Sequence, residues 1–448
     1  MNAMSRRGAC PTLSTPMQTG DGLLARLNPI AGGLSPNTLI GLCESALRQG
    51  NGIVEVTARG SLQIRGLTPF SARQLAGEVE QLGIAVRTGV PVETGPLAGL
   101  DPSEIADPRP LADAIRAAIA SAGLAKRLGP KVSVVVDGGG HLTMDTIIAD
   151  VRLVAQKRGN ETVWLLATGG DAATAVQQGI ISENSVCDAA IAILQAIAAL
   201  GKEARARDLR AADEILPVGL ISPLEGKMSG RTEGGISKHF PFGIILLANA
   251  TLALGIALPF GAMPAGKLIE LSRAALDEGT ADIRPAPARS LLFLGLSEDA
   301  CHRLQDTAAA LGFITDPTDP RLHIAACPGT PACASGNIET RAIAEQVAAT
   351  VPGFFDGSCT LHISGCAKGC AHPGAAALTV VGRDGGTGLV VNGPAKALSP
   401  DNTSCDDAAR GLAAIANLVQ ASRQPGETTA ACLARLGAAP IQTAYRQD

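Results

Sequence analysis

Aromatic side chains are nearly missing from this chain: Phe, Trp and Tyr make up 2% of 448 residues, with one Trp and one Tyr. Strong positive charge is missing too, since the formal net charge is -4. A surface that tracks phosphates needs cations, and one that holds single strands adds stacking rings. Nucleic acid is therefore not an expected partner. Long apolar runs are absent as well. The most apolar stretch, Ile244 to Leu258, has fifteen residues, short of the ~20 that span a bilayer, so it reads as buried core and no membrane partner is expected. The first thirty residues mix charge, Pro and Gly without a continuous apolar centre, which argues against a secretory signal. No G-x-G-x-x-G occurs: DGGGH after VSVVV clusters glycines without that spacing or a following helix, which argues against Rossmann-type dinucleotide binding.

Cysteine, by contrast, is plentiful. Eleven Cys, an odd number, in a chain without an export signal point to reduced thiols, metal chemistry and a cytoplasmic location rather than a disulfide framework. Cys327 and Cys333 stand in CPGTPAC, and Cys366 and Cys370 in CAKGC. Two close pairs suggest one metal centre. The spacing within the second pair suits one face of a helical turn, and Gly365 and Gly369 let backbone approach closely. Zinc sites use tighter pairs, with ~2–4 residues between ligands, so an iron-sulfur cluster fits better. Structural zinc and four unrelated buried thiols remain the alternatives.

With 46% apolar and 17% charged residues the chain is globular and long enough for two to four domains. LLARLNPI reads as a strand, LIGLCESALRQG as a helix stopped by Gly50, and GIVEVTA and SLQIRGL as strands flanking Ala58, Arg59 and Gly60. This layout recurs further along the chain. Leu39, Leu42, Ala46, Gly50, Ser61, Gly66 and Gly83 align without a gap on Leu268, Leu271, Ala275, Gly279, Ser290, Gly295 and Gly312, which implies an internal duplication and a cleft between pseudo-two-fold halves. The first copy carries Arg59 where the second has Ala288, with Arg289 next. Each copy leads into an α/β segment. In the first, VSVVVDGG and ETVWLLATGG read as strands, and TIIADVRLVAQKRG and SENSVCDAAIAILQAIAALG as helices. In the second, RLHIAAC, TRAIAEQVAATV, CTLHISGC and ALTVVGR repeat the alternation. Leu224 to Gly243, rich in Gly and basic residues, reads as a loop, either a solvated linker or part of a site.

C-x5-C followed by SGCAKGCAHP resembles the cluster signature of the sulfite and nitrite reductase superfamily. More closely, RRGACPTLSTPMQTGDGLLARL, TARGSLQIRGL, ADPRPLADAI and HISGCAKGCAHPG together resemble the precorrin-3B synthase family, its oxygen-dependent branch in aerobic cobalamin biosynthesis. The resemblance implies an α+β fold, a pseudo-two-fold sulfite/nitrite reductase-like duplication with a 4Fe-4S cluster in the second half. The expected parts are ferredoxin-like half-domains at 1–100 and 257–320, α/β lobes at 101–222 and 321–448, and a connecting region at 223–256.

It further implies a monooxygenase taking precorrin-3A to precorrin-3B by meso-carbon hydroxylation and lactone formation. Cys327, Cys333, Cys366 and Cys370 would be the cluster ligands. Dioxygen, a mononuclear non-haem iron and an external electron donor, NADH or NADPH through a reductase protein, would complete the system. The tetrapyrrole substrate carries a ring of carboxylates, which Arg forks match. Arg59, in the superfamily's T-x-R motif, Arg65 and Lys131 are the expected substrate-binding residues, whereas Arg205, Arg207 and Arg210 read as surface charges. The iron ligands stay unassigned among His141, His239, His302, His323, His362 and His372 and the carboxylates. One departure stands out: the reductases carry a second lysine two residues beyond the position of Lys131, and here it is Ser133, which argues against a small anion as substrate. A sirohaem sulfite or nitrite reductase and a non-catalytic iron-sulfur carrier or redox sensor are the competing readings.

Overall fold

Two copies of one supersecondary unit occupy the centre of the fold. The computed structural model describes residues 11–30, 32–209, 220–222, 241–399, 404–405 and 407–446. The first copy runs through β1 (Met17–Thr19), β2 (Gly22–Leu27), α1 (Pro36–Gln49), β3 (Ile53–Val56), β4 (Leu62–Leu67) and α2 (Pro69–Gln81). Its lobe contains β5 (Val92–Thr94), α3 (Arg109–Ser121), β6 (Val134–Asp137), β7 (Ala149–Arg158), β8 (Glu161–Gly170), β9 (Val176–Ser182), α4 (Val186–Leu200) and β10 (Leu220–Ser222). The second copy comprises β11 (Gly243–Leu246), β12 (Leu252–Ala257), β13 (Ala262–Pro264), α5 (Ala265–Asp277), β14 (Asp282–Ala286), β15 (Ser290–Leu296) and α6 (Glu298–Ala310). Its lobe adds β16 (Ile324–Ala326), α7 (Thr340–Thr350), β17 (Leu361–Ser364), β18 (Ala376–Arg383), β19 (Gly386–Gly393), β20 (Ser404–Cys405), α8 (Ala408–Ser422), α9 (Thr429–Leu436) and α10 (Ala438–Arg446).

The copies match in chemistry as well as order. α2 and α6 start under equivalent hydroxyl caps, Thr68 accepting from the Ser71 N–H and Ser297 from the Ala300 N–H. Gly66 and Gly295 lie in the left-handed region, at φ 72° and 90°, where β4 and β15 slip register against β2 and β12. A bulge at this point needs a residue without Cβ, which accounts for the paired glycines.

The halves exchange sheet edges across the pseudo-two-fold axis. β13 pairs with β3, Met263 opposite Val54. Reciprocally, Leu34 bridges Ile283 of β14 with N–H···O bonds of 2.9 and 2.8 Å in the two directions. α1 packs on α5, so Leu39, Leu42 and Ala46 share one core with Leu268, Leu271 and Ala275. The turns containing Arg59 and Ala288 also meet here, where Arg59 bridges Pro287 and the Ala288 N–H donates to the Ala58 carbonyl at 3.1 Å. The two lobe sheets repeat one order: β5, β6 and β7 run parallel and β8 returns, and β16, β17 and β18 run parallel and β19 returns.

The helix expected over TIIADVRLVAQKRG is instead the strand β7. Val151, Leu153 and Ala155 enter the lobe core, while Asp150 and Arg152, whose polarity made the spacing look amphipathic, are themselves buried. Asp150 takes the fork of Arg205, with Nη2 at 2.9 Å, and Arg152 donates to the carbonyls of Met144 and Ile147. Arg205 is thus a structural ion-pair residue and not a surface charge. Arg207 is exposed, and Arg210 lies outside the described residues. The Ile244–Leu258 run forms the hairpin of β11 and β12, buried along β12 but exposed at Ile244 and Leu246. The loop expected at Leu224 to Gly243 falls outside the described residues as far as 240. After β6 the chain passes through DGGGH to β7 without a helix. Among the described residues no helix is long and apolar enough to cross a membrane.

Candidate metal centre and substrate cleft

Adjacent parallel strands bring the two cysteine pairs together. Ala326 of β16 pairs with Ile363 of β17, so Cys327 and Cys366 leave the carboxyl ends of neighbouring strands, the edge where open α/β sheets bind ligands. Cys327 is buried, Cys333 and Cys366 are half-buried and Cys370 is exposed. The segment from Cys366 to Cys370 is a turn rather than a helix.

Close backbone crossings hold the cysteine loops. The Gly365 N–H donates to Cys327 Sγ at 3.2 Å, and the Asn337 N–H to the Gly365 carbonyl at 2.8 Å. A Cβ on Gly365 would lie 3.1 Å from the Gly336 Cα and 3.3 Å from the Gly329 Cα, so three glycines allow the loops to cross. Lys368 Nζ donates to Ser335 Oγ at 2.6 Å, joining one loop to the other. The Cys370 thiol is pushed up, by desolvation first and then by Cys327, Cys366 and Cys333. Among the described residues no three His, Cys, Asp or Glu side chains close tightly enough to hold a single metal ion. Two cysteine pairs brought to neighbouring strand ends, with an N–H directed at one sulfur, are compatible with a multi-atom cluster.

The first half clamps this centre. Gly20, between β1 and β2, lies against the Cys333–Ala334 peptide, and a Cβ on it would fall 2.1 Å from the Ala334 N. Arg65 on β4, with a side chain 6% exposed, donates from Nη2 to the Ala332 carbonyl at 2.6 Å. The same guanidinium grips Asp21, with Nη2 at 2.9 Å from Oδ1 and Nε at 3.2 Å from Oδ2. Glu55 on β3 lies 3.8 Å from Arg65 Nη1 and accepts from Arg341 of α7 at 2.5 Å. Arg65, expected at the substrate, is committed to this buried network between Cys327 and Cys333. Asp21, Glu55 and Arg341 escaped the sequence reading; an acid inside the apolar strand GIVEVTA was the one local signal.

Arg59 lies elsewhere, at the pseudo-two-fold turn, reaching the first lobe. Its Nη2 donates to the Ile148 carbonyl, and Nη1 is 3.8 Å from Glu93 Oε2. Burial pushes the Glu93 carboxyl up, while Arg59, Arg87 and Arg26 act in the opposite direction. These arginines form a cationic group that reading the sequence did not assemble. Lys131 is exposed in the turn before β6, whereas Ser133 is buried with its N–H on Asp150 at 3.1 Å. Arg59, Arg65 and Lys131 therefore have three different surroundings.

Arg289 carries the left-handed turn of the second copy, at φ 64° next to Ala288 at 61°. It reaches the second lobe, where Nη2 donates to the Ala371 carbonyl at 3.3 Å, and burial pushes its guanidinium down to about 10. His362 beneath is pushed down to about 4 by burial, then by His372 and Arg289. His141 and His302 are exposed, and His239 lies outside the described residues.

The comparisons with known proteins bear on the fold and the family. The family model of the nitrite/sulfite reductase ferredoxin-like half domain matches residues 15–82, the first copy of the repeat. A Sinorhizobium protein named precorrin-3B synthase is 41% identical over 445 residues, covering 99% of this chain and 96% of the relative. The chain belongs to the precorrin-3B synthase family. The solved structure of the Mycobacterium tuberculosis NirA protein superposes with a TM-score of 0.73 at 18% identity, over 94% of this chain and 84% of that one. That likeness establishes the fold: this member of the precorrin-3B synthase family has the duplicated α+β architecture expected of it.

Proposed function

We propose that the chain is an oxygen-dependent monooxygenase that converts precorrin-3A to precorrin-3B, hydroxylating a meso carbon and closing a lactone from the ring A acetate. The 41% identity along nearly the whole length of a precorrin-3B synthase carries the reading. Cys327, Cys333, Cys366 and Cys370 are the residues that would hold one 4Fe-4S cluster, which when bound supplies single-electron transfer. Arg59 would bind a substrate carboxylate through a charge-assisted contact, with Arg26 and Arg87 adding positive potential around it. Lys131, exposed in the turn before β6, would supply a further cation to the substrate carboxylates. Arg65 acts indirectly, by fixing the loop between two of the cysteines.

Electrons come from NADH or NADPH through a separate donor protein in the cytoplasm. The described residues do not offer the three-ligand set that a mononuclear non-haem iron requires, so no step is assigned to that metal. The decisive experiment is isotopic. Enzyme, precorrin-3A and reductant under heavy dioxygen are expected to yield product bearing the label in its new hydroxyl. Label drawn from water instead, or reduction of sulfite or nitrite at about 1 per second or faster, would overturn the assignment.

A further inference from the structure

His362 is 0% exposed, and neither Nδ1 nor Nε2 has a hydrogen-bond partner. A neutral imidazole offers one donor and one acceptor, and leaving both unmet in an interior carries a desolvation cost that native proteins avoid. The position of the ring indicates what it lacks. Leu361 and Ile363 enter the core of the lobe, so by strand alternation His362 points from the opposite face of β17, together with Ser364, whose hydroxyl donates to the Cys366 carbonyl at 2.7 Å.

Its strand neighbours leave both nitrogens unmet. Ala325 has no polar side chain, and the hydroxyl of Thr379 is spent on the Gly393 carbonyl at 2.8 Å. Above the ring lies Gly369, where a Cβ would be 3.6 Å from His362 Cε1, the carbon between the two nitrogens. Gly369 immediately precedes Cys370. The His372 ring stands edge-on at 5.8 Å with its own Nε2 on the Ala375 carbonyl at 3.1 Å. Arg289 directs its Nη2 to the Ala371 carbonyl rather than to the ring. The ring edge between the two unmet nitrogens thus faces Gly369, in the turn that carries Cys366 and Cys370, and among the described residues no third donor joins His362 and His372 to form a single-ion site.

We propose that His362 is a positioning residue of the metal centre: its N–H donates to a sulfur of the group held by Cys366 and Cys370 and raises the reduction potential of that group. The proposal rests on the cluster assigned under the proposed function. Physically, a donor aimed at a sulfur stabilises the more negative, reduced state more than the oxidised one, and such hydrogen bonds help set cluster potentials.

The test uses full-length protein reconstituted with iron and sulfide under anaerobic conditions and titrated potentiometrically by electron paramagnetic resonance. His362→Leu is expected to shift the reduction equilibrium at least tenfold toward the oxidised form, about 59 mV for a one-electron couple. His362→Gln, which keeps an N–H, is expected to recover most of that shift. If the Leu variant fails to assemble, the parent protein with nitrogen-15-labelled histidine decides. Its pulsed spectrum should show an imidazole nitrogen coupled to the reduced centre, retained in His372→Gln and lost in His362→Gln. An unchanged potential in His362→Leu, or no nitrogen coupling in the parent, would leave His362 a packing residue and overturn the proposal. A parent protein that takes up no cluster would remove the cluster assignment instead, a result recognisable before any variant is made.

Discussion

Replacing Arg65 by Met separates two roles for this cation, because it keeps much of the stem and removes the guanidinium. In the structure that guanidinium satisfies Asp21 and the Ala332 carbonyl and faces Glu55, whose side chain is 7% exposed. Removing one partner of a buried ion pair costs about 3–5 kcal/mol, because the other charge stays buried without compensation. Asp21 is partly solvated and Glu55 keeps Arg341 at 2.5 Å, so the lower end, about 3 kcal/mol, applies. Denaturant unfolding of Arg65→Met, Asp21→Asn and the double variant measures it. The midpoint should fall with the slope unchanged, and the double-mutant cycle should return a coupling of about 1–3 kcal/mol. The variant should also lose bound iron faster to a chelator, because the loop between Cys327 and Cys333 has lost its anchor. If Arg65→Met stays within about 0.5 kcal/mol of the parent, as ordinary surface changes do, and only substrate affinity falls, then the clamp is illusory and Arg65 belongs to the substrate.

Arg59→Ala should behave in the opposite way, with stability nearly unchanged because the side chain is 39% exposed and with precorrin-3A binding weakened by about 1.5–3 kcal/mol for a lost charge-assisted contact; a titration matching the parent would refute it, and Arg59→Lys should restore only part. Cys366→Ser should lose the cluster absorbance, whereas Ser at Cys43 or Cys301, both buried in the core shared by the two half-domains, should keep it; full iron content in Cys366→Ser would reject the ligand assignment. Asp356 supplies a pH test. Burial opposes its charge, yet hydrogen bonds from Ser358 and Thr429 prevail and hold the carboxyl down, from 3.8 to about 2. Because the folded value lies below the unfolded one, the contribution is complete above pH 4 and lost as pH falls toward 2. Asp356→Asn should therefore be less stable than the parent at neutral pH and lose that deficit below about pH 2; a deficit that persists unchanged to acid would refute the assignment.

The parts legible in the sequence were those with a local cause. Gly66 and Gly295 recur because the same bulge demands the same backbone conformation, and the cysteine pairs stand out because each is short in sequence and β16 and β17 carry them to neighbouring strand ends. β7 misled because Asp150 and Arg152 imitate the polar face of a helix; their partners, Arg205 and the carbonyls of Met144 and Ile147, are what permit a strand buried on both faces. The clamp could not be read at all, since Asp21, Glu55, Arg65 and Arg341 are scattered over three hundred positions and meet only when the second lobe closes on the first half-domain.

The duplication also explains how a symmetric scaffold can support a one-sided site. The edge exchange of Leu34 with Ile283 and of Met263 with Val54 fixes the two turns against each other at the axis, so whatever each turn carries is projected outward from the same point. The first copy sends Arg59 to Ile148 and Glu93 in the first lobe; the second has Ala288 at the equivalent position and sends Arg289, one residue later, to Ala371 beside Cys370. A one-residue offset in where the arginine falls, within an otherwise matched turn, therefore divides the cations between two lobes, and only the second lobe bears cysteines at the ends of its parallel strands. Symmetry supplies rigidity at the axis, and the departures from symmetry place the charge.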